Sequence, residues 1–195
     1  MRKITLFFAA LFVFTSLSFS QNFATKGTIE VGGSLGFSSI TGVSNGESSS
    51  NSLSTLRLEP YIGYFIVDGF ELGFEPSFTT SSIGDYSSNS FGIYFAPAWN
   101  FDLRSNLFPF LEGRIGYNTS SRDVSNGEGG TTKYTTSGLA WGAKGGVKVK
   151  IGNSGLFNLA LSYDQITMNP KDWSGSRNGE NIFSVNAGFT IFIGR

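Results

Sequence analysis

Phe70-Glu71-Leu72-Gly73-Phe74-Glu75-Pro76-Ser77-Phe78-Thr79 is the stretch whose reading decides the fold. Phe70, Leu72, Phe74, Pro76 and Phe78 form one row, and Glu71, Gly73, Glu75, Ser77 and Thr79 form the other. Successive side chains of a strand point to opposite faces, so this period of two describes a ribbon with one apolar face and one small or charged face. A helix would mix the two sets around its circumference.

Outward from this stretch the alternation recurs. N-terminal to it, Ile29, Val31, Leu35 and Phe37 oppose Glu30, Gly32, Ser34 and Gly36, and Leu56, Leu58, Pro60, Ile62 and Tyr64 oppose Arg57, Glu59, Tyr61 and Gly63. C-terminal to it, Phe91, Ile93, Phe95, Pro97 and Trp99 oppose Gly92, Tyr94, Ala96 and Ala98, and Leu111, Ile115 and Tyr117 oppose Glu112, Arg114 and Gly116. Leu139, Trp141, Ala143, Val147 and Val149 then oppose Ala140, Gly142, Lys144, Gly146 and Lys148. Phe157, Leu159, Leu161 and Tyr163 oppose Asn158, Ala160, Ser162 and Asp164. Last, Phe183, Val185, Ala187, Phe189, Ile191 and Ile193 oppose Ser184, Asn186, Gly188 and Thr190. Eight segments of about ten residues result, and an even number suits an up-and-down barrel.

The charges sort by face. Glu30, Arg57, Glu59, Glu71, Glu75, Glu112, Arg114, Lys144, Lys148 and Asp164 all stand on the small-residue face. A cation facing lipid at mid-bilayer costs about 2–4 kcal/mol, so a bilayer would impose this segregation. An eight-strand barrel is just wide enough for side chains to fill. The expectation is an interior network built on Glu59, Glu75, Glu112, Arg114 and Lys144, with signs close enough to balance for mutual neutralisation. The alternative for these residues is a proton or ion path.

The connections alternate too. Val67-Asp68-Gly69, Asp102 to Asn106 and Gly152 to Gly155 read as tight turns. Ile40 to Ser52, Thr80 to Asn89, Ser120 to Lys133 and Asn169 to Asn181 read as long polar loops. Short turns at one end and long loops at the other is the asymmetry of a transmembrane barrel, with the short turns periplasmic and the long loops extracellular. Pro60, Pro76 and Pro97 lie in strand interiors, where each forfeits a ladder hydrogen bond.

Before the first strand, Met1 to Lys3 is basic, Ile4 to Phe14 is apolar but for Thr5, and Ser18-Phe19-Ser20 is a small-x-small site. Residues 1–20 read as a cleavable signal peptide with the cut before Gln21, leaving 27–193 as the barrel domain. The apolar run is short for a spanning helix. Without Arg2 and Lys3 the chain keeps 12 of its 14 basic residues against 14 acidic ones, near −2. That balance gives no electrostatic case for nucleic acid.

Composition narrows the function further. Charged residues make up 14% of the chain, well below the roughly 25% of a soluble domain, while 20 Phe exceed what a soluble core needs. There is no Cys and no His, which removes disulfides, lipoprotein acylation and the commonest general base and metal ligand. No catalytic, cofactor or metal site is expected, and the protein reads as a non-enzyme.

The last segment carries Asn186-x-Gly188-x-x-Ile191-x-Ile193, which resembles the C-terminal signal read by the barrel assembly machinery, although the chain ends Gly194-Arg195 rather than on an aromatic residue. With eight strands and four long loops, the stretch from Gly27 to Ile193 resembles the small outer-membrane β-barrel group that contains the OmpA-like and OmpX-like barrels. The resemblance implies an outer-membrane location, with lipid, lipopolysaccharide and the assembly machinery as partners. Some barrels of this size are lipid-modifying enzymes with a His-containing rim site, and this chain lacks that residue. Lys144-Gly145-Gly146-Val147-Lys148 is similar to a phosphate-binding loop but lacks its Lys-Ser/Thr pair and lies inside an alternating segment.

Three functions remain in competition. The leading one is a structural or surface-interacting barrel, followed by a narrow channel for small solutes. The third is a soluble lipocalin-like carrier, in which Phe70, Leu72, Phe74 and Phe78 would line a cavity.

Overall fold

The computed structural model describes residues 23–83, 86–125, 131–168 and 178–194. Eight strands appear in chain order: β1 (Ile29–Ser44), β2 (Glu47–Val67), β3 (Phe70–Ile83), β4 (Tyr86–Asn100), β5 (Leu107–Ser125), β6 (Thr131–Ile151), β7 (Gly155–Thr167) and β8 (Gly179–Ile193). Each pairs antiparallel with its successor, and β1 closes on β8 from Ile29↔Ile193 to Val43↔Gly179. Closure is how a single sheet avoids presenting open edges to a bilayer.

The apolar rows face outward. Phe37 is 75% exposed and Leu139 68%, whereas Glu30, Glu59 and Asp164 are at 0%. Phe74 and Phe78, at 46% and 47%, lie on the outer surface, so the carrier arrangement with an apolar lumen does not occur. The belts Ile29 to Phe37, Phe70 to Phe78 and Phe91 to Trp99 each run nine residues, matching the roughly 9–11 that cross a bilayer as a tilted strand.

The strands themselves are longer than these belts, from 13 residues in β7 to 21 in β2 and β6. This corrects the long-loop expectation. The link over Ile40 to Ser52 contracts to an Asn45-Gly46 turn, with φ of 52° and 86°, and the rest is β1 and β2. Asn-Gly in that conformation is the two-residue turn whose twist matches its flanking strands. Likewise β3 runs to Ile83 and β4 starts at Tyr86, while β5 runs to Ser125 and β6 starts at Thr131. Beyond the apolar belt the sequence carries Ser, Thr and Asn at successive positions and loses its hydrophobic period, although the backbone stays paired. Residues 84–85, 126–130 and most of the fourth link, 169–177, lie outside the described residues, as does the expected signal segment 1–20.

The prolines sit where the ladder is interrupted. Pairing of β2 with β3 stops at Leu58↔Phe78 and resumes at Ile62↔Phe74, a register that sets Pro60 opposite Pro76. In the same way Pro97 falls opposite Gly113, between Phe95↔Ile115 and Ala98↔Glu112. Facing prolines concentrate their missing N–H groups at one place instead of breaking the ladder twice.

Along its axis the interior has three layers. At the short-turn end Phe65, Phe108, Leu156 and Phe192 surround Phe23, which is 2% exposed, and the Phe23 ring lies 5.0–5.4 Å from the three phenylalanine rings. The segment before β1 is tied in place by Gly69 N–H donating to the Ala24 carbonyl and Lys26 N–H donating to Asp68 Oδ1, at 2.8 and 2.7 Å. At the long-hairpin end Tyr94, Ala140, Ile166 and Ile182 pack together, with Ile40 and Met168 against them. Between these apolar layers lie the charges. The polar and charged filling read from the alternation thus occupies the middle of the barrel, with an apolar layer at each end.

Candidate functional site

The middle layer draws side chains from β1, β2, β3, β5, β6 and β7. Alternation in each strand turns them inward, and tight spots opposite them are held by glycine. A Cβ on Gly73 would come within 2.6 Å of the Tyr61 hydroxyl, so that position admits no larger residue beside the charges.

Two arginines form the upper tier. Arg57 Nη2 lies 2.9 Å from Glu59 Oε1, and Arg57 Nη1 lies 3.1 Å from Asp164 Oδ2. Arg114 shares both acids, with contacts of 2.9 Å to Glu59 and 3.0 Å to Asp164, and adds Glu75 at 2.5 Å. Arg57 also donates to Ser184 Oγ at 2.9 Å and Ser77 Oγ at 3.1 Å. The Arg114 guanidinium stacks 4.3 Å from the centroid of the Tyr94 ring, joining the charges to the apolar layer above.

Two lysines form the lower tier. Lys144 Nζ donates to Glu75 Oε2 at 2.5 Å and stands 3.4 Å from Glu59 and 3.6 Å from Glu112. Lys148 Nζ donates to Glu30 Oε2 at 2.5 Å and stands 3.4 Å from Glu71. Thr190 donates to Glu30 Oε1 at 2.7 Å, and Asn100 donates to Glu71 Oε2 at 3.2 Å. Phe23, Tyr61 and Phe110 place their rings 5.2–5.7 Å from Lys148 Nζ, which therefore meets carboxylates on one side and aromatic faces on another.

The five residues singled out in the sequence, Glu59, Glu75, Glu112, Arg114 and Lys144, meet in one connected network. Arg57, Asp164, Glu30, Glu71 and Lys148 belong to the same layer. Of the rings around Lys148, Tyr61 was legible as inward-facing, but Phe23 and Phe110 were not; the signal for Phe110 was the apolar run Leu107-Phe108-Pro109-Phe110-Leu111, where alternation fails because both faces are apolar. On β8, Asn186 and Thr190 point inward, both 2% exposed, while Ile193 faces out. Among the described residues no group of three or more acidic side chains is arranged to hold a metal ion. A cavity of about 40 Å³ remains beside Glu59, Glu75, Glu112, Lys144 and Lys148. It is large enough for a few waters.

The fold matches solved outer-membrane barrels. Neisserial surface protein A aligns with a TM-score of 0.63 at 16% identity, over 85% of this chain and 99% of that one. Ail of Yersinia pestis, solved with the heparin analogue sucrose octasulfate, aligns with a TM-score of 0.59 at 13% identity, over 87% and 100%. OprG from Pseudomonas aeruginosa gives 0.53 at 15% identity, over 88% and 98%. No protein-family model matches the sequence, and no curated protein does. The chain thus has the closed eight-strand architecture of the small outer-membrane barrels, at identities that speak to fold alone.

Proposed function

We propose that this protein is an integral outer-membrane barrel with a structural or surface-interaction role, its long hairpins extracellular and its N-terminus and short turns periplasmic. The observation that carries the reading is the three-layered interior, in which apolar clusters at both ends enclose a middle filled by paired charges. Residues 1–20 act as the signal peptide in this reading, and Asn186, Gly188, Ile191 and Ile193 serve as the assembly signal. The partners are outer-membrane lipid, lipopolysaccharide and, during biogenesis, the assembly machinery. A catalytic role has little support, since a chain without His lacks the usual base for a serine nucleophile.

Planar-bilayer recording of the purified barrel tests the reading. No stable conductance is expected at neutral pH. Steady open-channel currents, altered by Glu112→Ala or Arg114→Ala, would instead make it a channel for small solutes.

A further inference from the structure

The middle layer does not balance. Its buried acids are Glu30, Glu59, Glu71, Glu75, Glu112 and Asp164, and its buried cations are Arg57, Arg114, Lys144 and Lys148, an excess of two carboxyl groups. The short contacts assign the four cations to four acids: the arginines hold Glu59 and Asp164, Lys144 holds Glu75, and Lys148 holds Glu30. Glu71 and Glu112 are left over. Glu71 lies 3.4 Å from Lys148 and is capped by Asn100. Glu112 fares worse, with its nearest cationic atoms at 3.6 Å on Lys144 and 4.0 Å on Arg114.

A second, independent feature lies at the same place. Glu112 lines the 40 Å³ cavity, is 4% exposed, and its Oε1 has no hydrogen-bond partner. Asn158 Oδ1 and Asn186 Oδ1, on two other cavity-lining residues, are also buried without partners, while the amide nitrogens donate to Thr190 Oγ1 and Ser162 Oγ. Two further atoms on cavity-lining residues have no hydrogen-bond partner, the Tyr61 hydroxyl and Glu75 Oε1, and the latter lies 2.5 Å from Arg114 Nη2. A single hydroxyl cannot serve the three remaining acceptor oxygens, so the cavity lacks something positive or proton-donating. We propose that it binds a small monovalent cation, the size of sodium or potassium, held by the Glu112 carboxylate and amide oxygens and completed by water. The surplus of negative charge favours a cation over water alone. Lys144 and Lys148 also line the cavity and limit it to a single added charge, as does the lack of a three-carboxylate cluster among the described residues.

A ligand held only by the folded barrel stabilises it in proportion to its occupancy, however slowly it exchanges through the end layers. The test is equilibrium unfolding by urea in lipid vesicles, in sodium or potassium chloride against N-methylglucamine chloride of equal ionic strength. The urea midpoint should be higher by about 0.5–1 M in sodium or potassium, which corresponds to roughly a tenfold gain in folding constant. Glu112→Gln should abolish the difference. Glu71→Gln, which lowers the charge excess without touching the cavity, should retain it. Equal midpoints in all three salts would overturn the proposal. So would a neutral-carboxyl infrared band that vanishes in Glu112→Gln without any cation dependence, since a proton would then supply the missing charge.

Discussion

At the scale of the residue, the charge count sets an order among substitutions that the contacts alone do not. Arg114 touches Glu59, Glu75 and Asp164 at 3.0 Å or less. Arg114→Met would strip three carboxylates of a shared cation and deepen an existing excess of negative charge. Removing one partner from such a buried pair costs about 3–5 kcal/mol. Glu75→Gln also breaks two short contacts, with Arg114 and Lys144, but it relieves the excess, and both cations keep other acids. Its cost should be nearer the 1–3 kcal/mol of one badly satisfied buried group. Urea unfolding in vesicles should therefore rank Arg114→Met as the more damaging. A larger loss in Glu75→Gln would show that the interior is not short of positive charge. All these residues were legible in the sequence as inward-facing, because period two assigns every side chain of a strand to a face once one is known. Their pairing was not, since partners such as Arg57 and Asp164 are 107 residues apart and no local pattern links them.

At the scale of the element, apolar alternation reported each strand only while it crossed the belt. The polar continuations of β1, β2, β5 and β6 carry no such period, and they read as loops although their backbones stay paired. The strand that closes the barrel also carries a constraint hidden in its sequence. Gly188 packs against β1 so closely that an added Cβ would lie 2.5 Å from the Gly33 carbonyl oxygen and 2.7 Å from Ser34 Cβ. The glycine of the proposed assembly signal thus has a packing role at the β1–β8 seam, apart from any recognition. Gly188→Ala should lose about 1–3 kcal/mol through overpacking, and it should refold poorly in detergent with no machinery present. Ile191→Ser changes an apolar residue of the same motif without crowding this seam. It should refold normally in detergent while its yield in the outer membrane of cells falls. Comparing unheated and boiled samples on SDS gels reads the folded fraction in both settings. If Gly188→Ala refolds as well as the parent and fails only in cells, recognition rather than seam packing explains the glycine.

At the scale of the molecule, the three interior layers make closure redundant, and the layer at the short-turn end depends on a residue outside every strand. Phe23 precedes β1 by six positions and fills the space among Phe65, Phe108 and Phe192. Nothing in the alternation marks it, because a plugging residue contributes to the core without belonging to the sheet. Phe23→Ala removes a fully buried ring, and such truncations cost about 3–5 kcal/mol when the surroundings cannot collapse. The barrel wall fixes Phe65, Phe108 and Phe192 through their strands, so little collapse is available and the upper part of that range applies. Conduction is a separate matter. With Phe23 gone, an ion entering from the short-turn end still meets the Lys148–Glu30 pair, then the Arg114 network, then the Tyr94, Ile166 and Ile182 layer. Phe23→Ala should therefore unfold at clearly lower urea yet remain silent in planar bilayers. Stable currents from this single variant would mean that the Phe23 cluster alone closes the lumen, and that the charged layer, for all its short contacts, lets ions through.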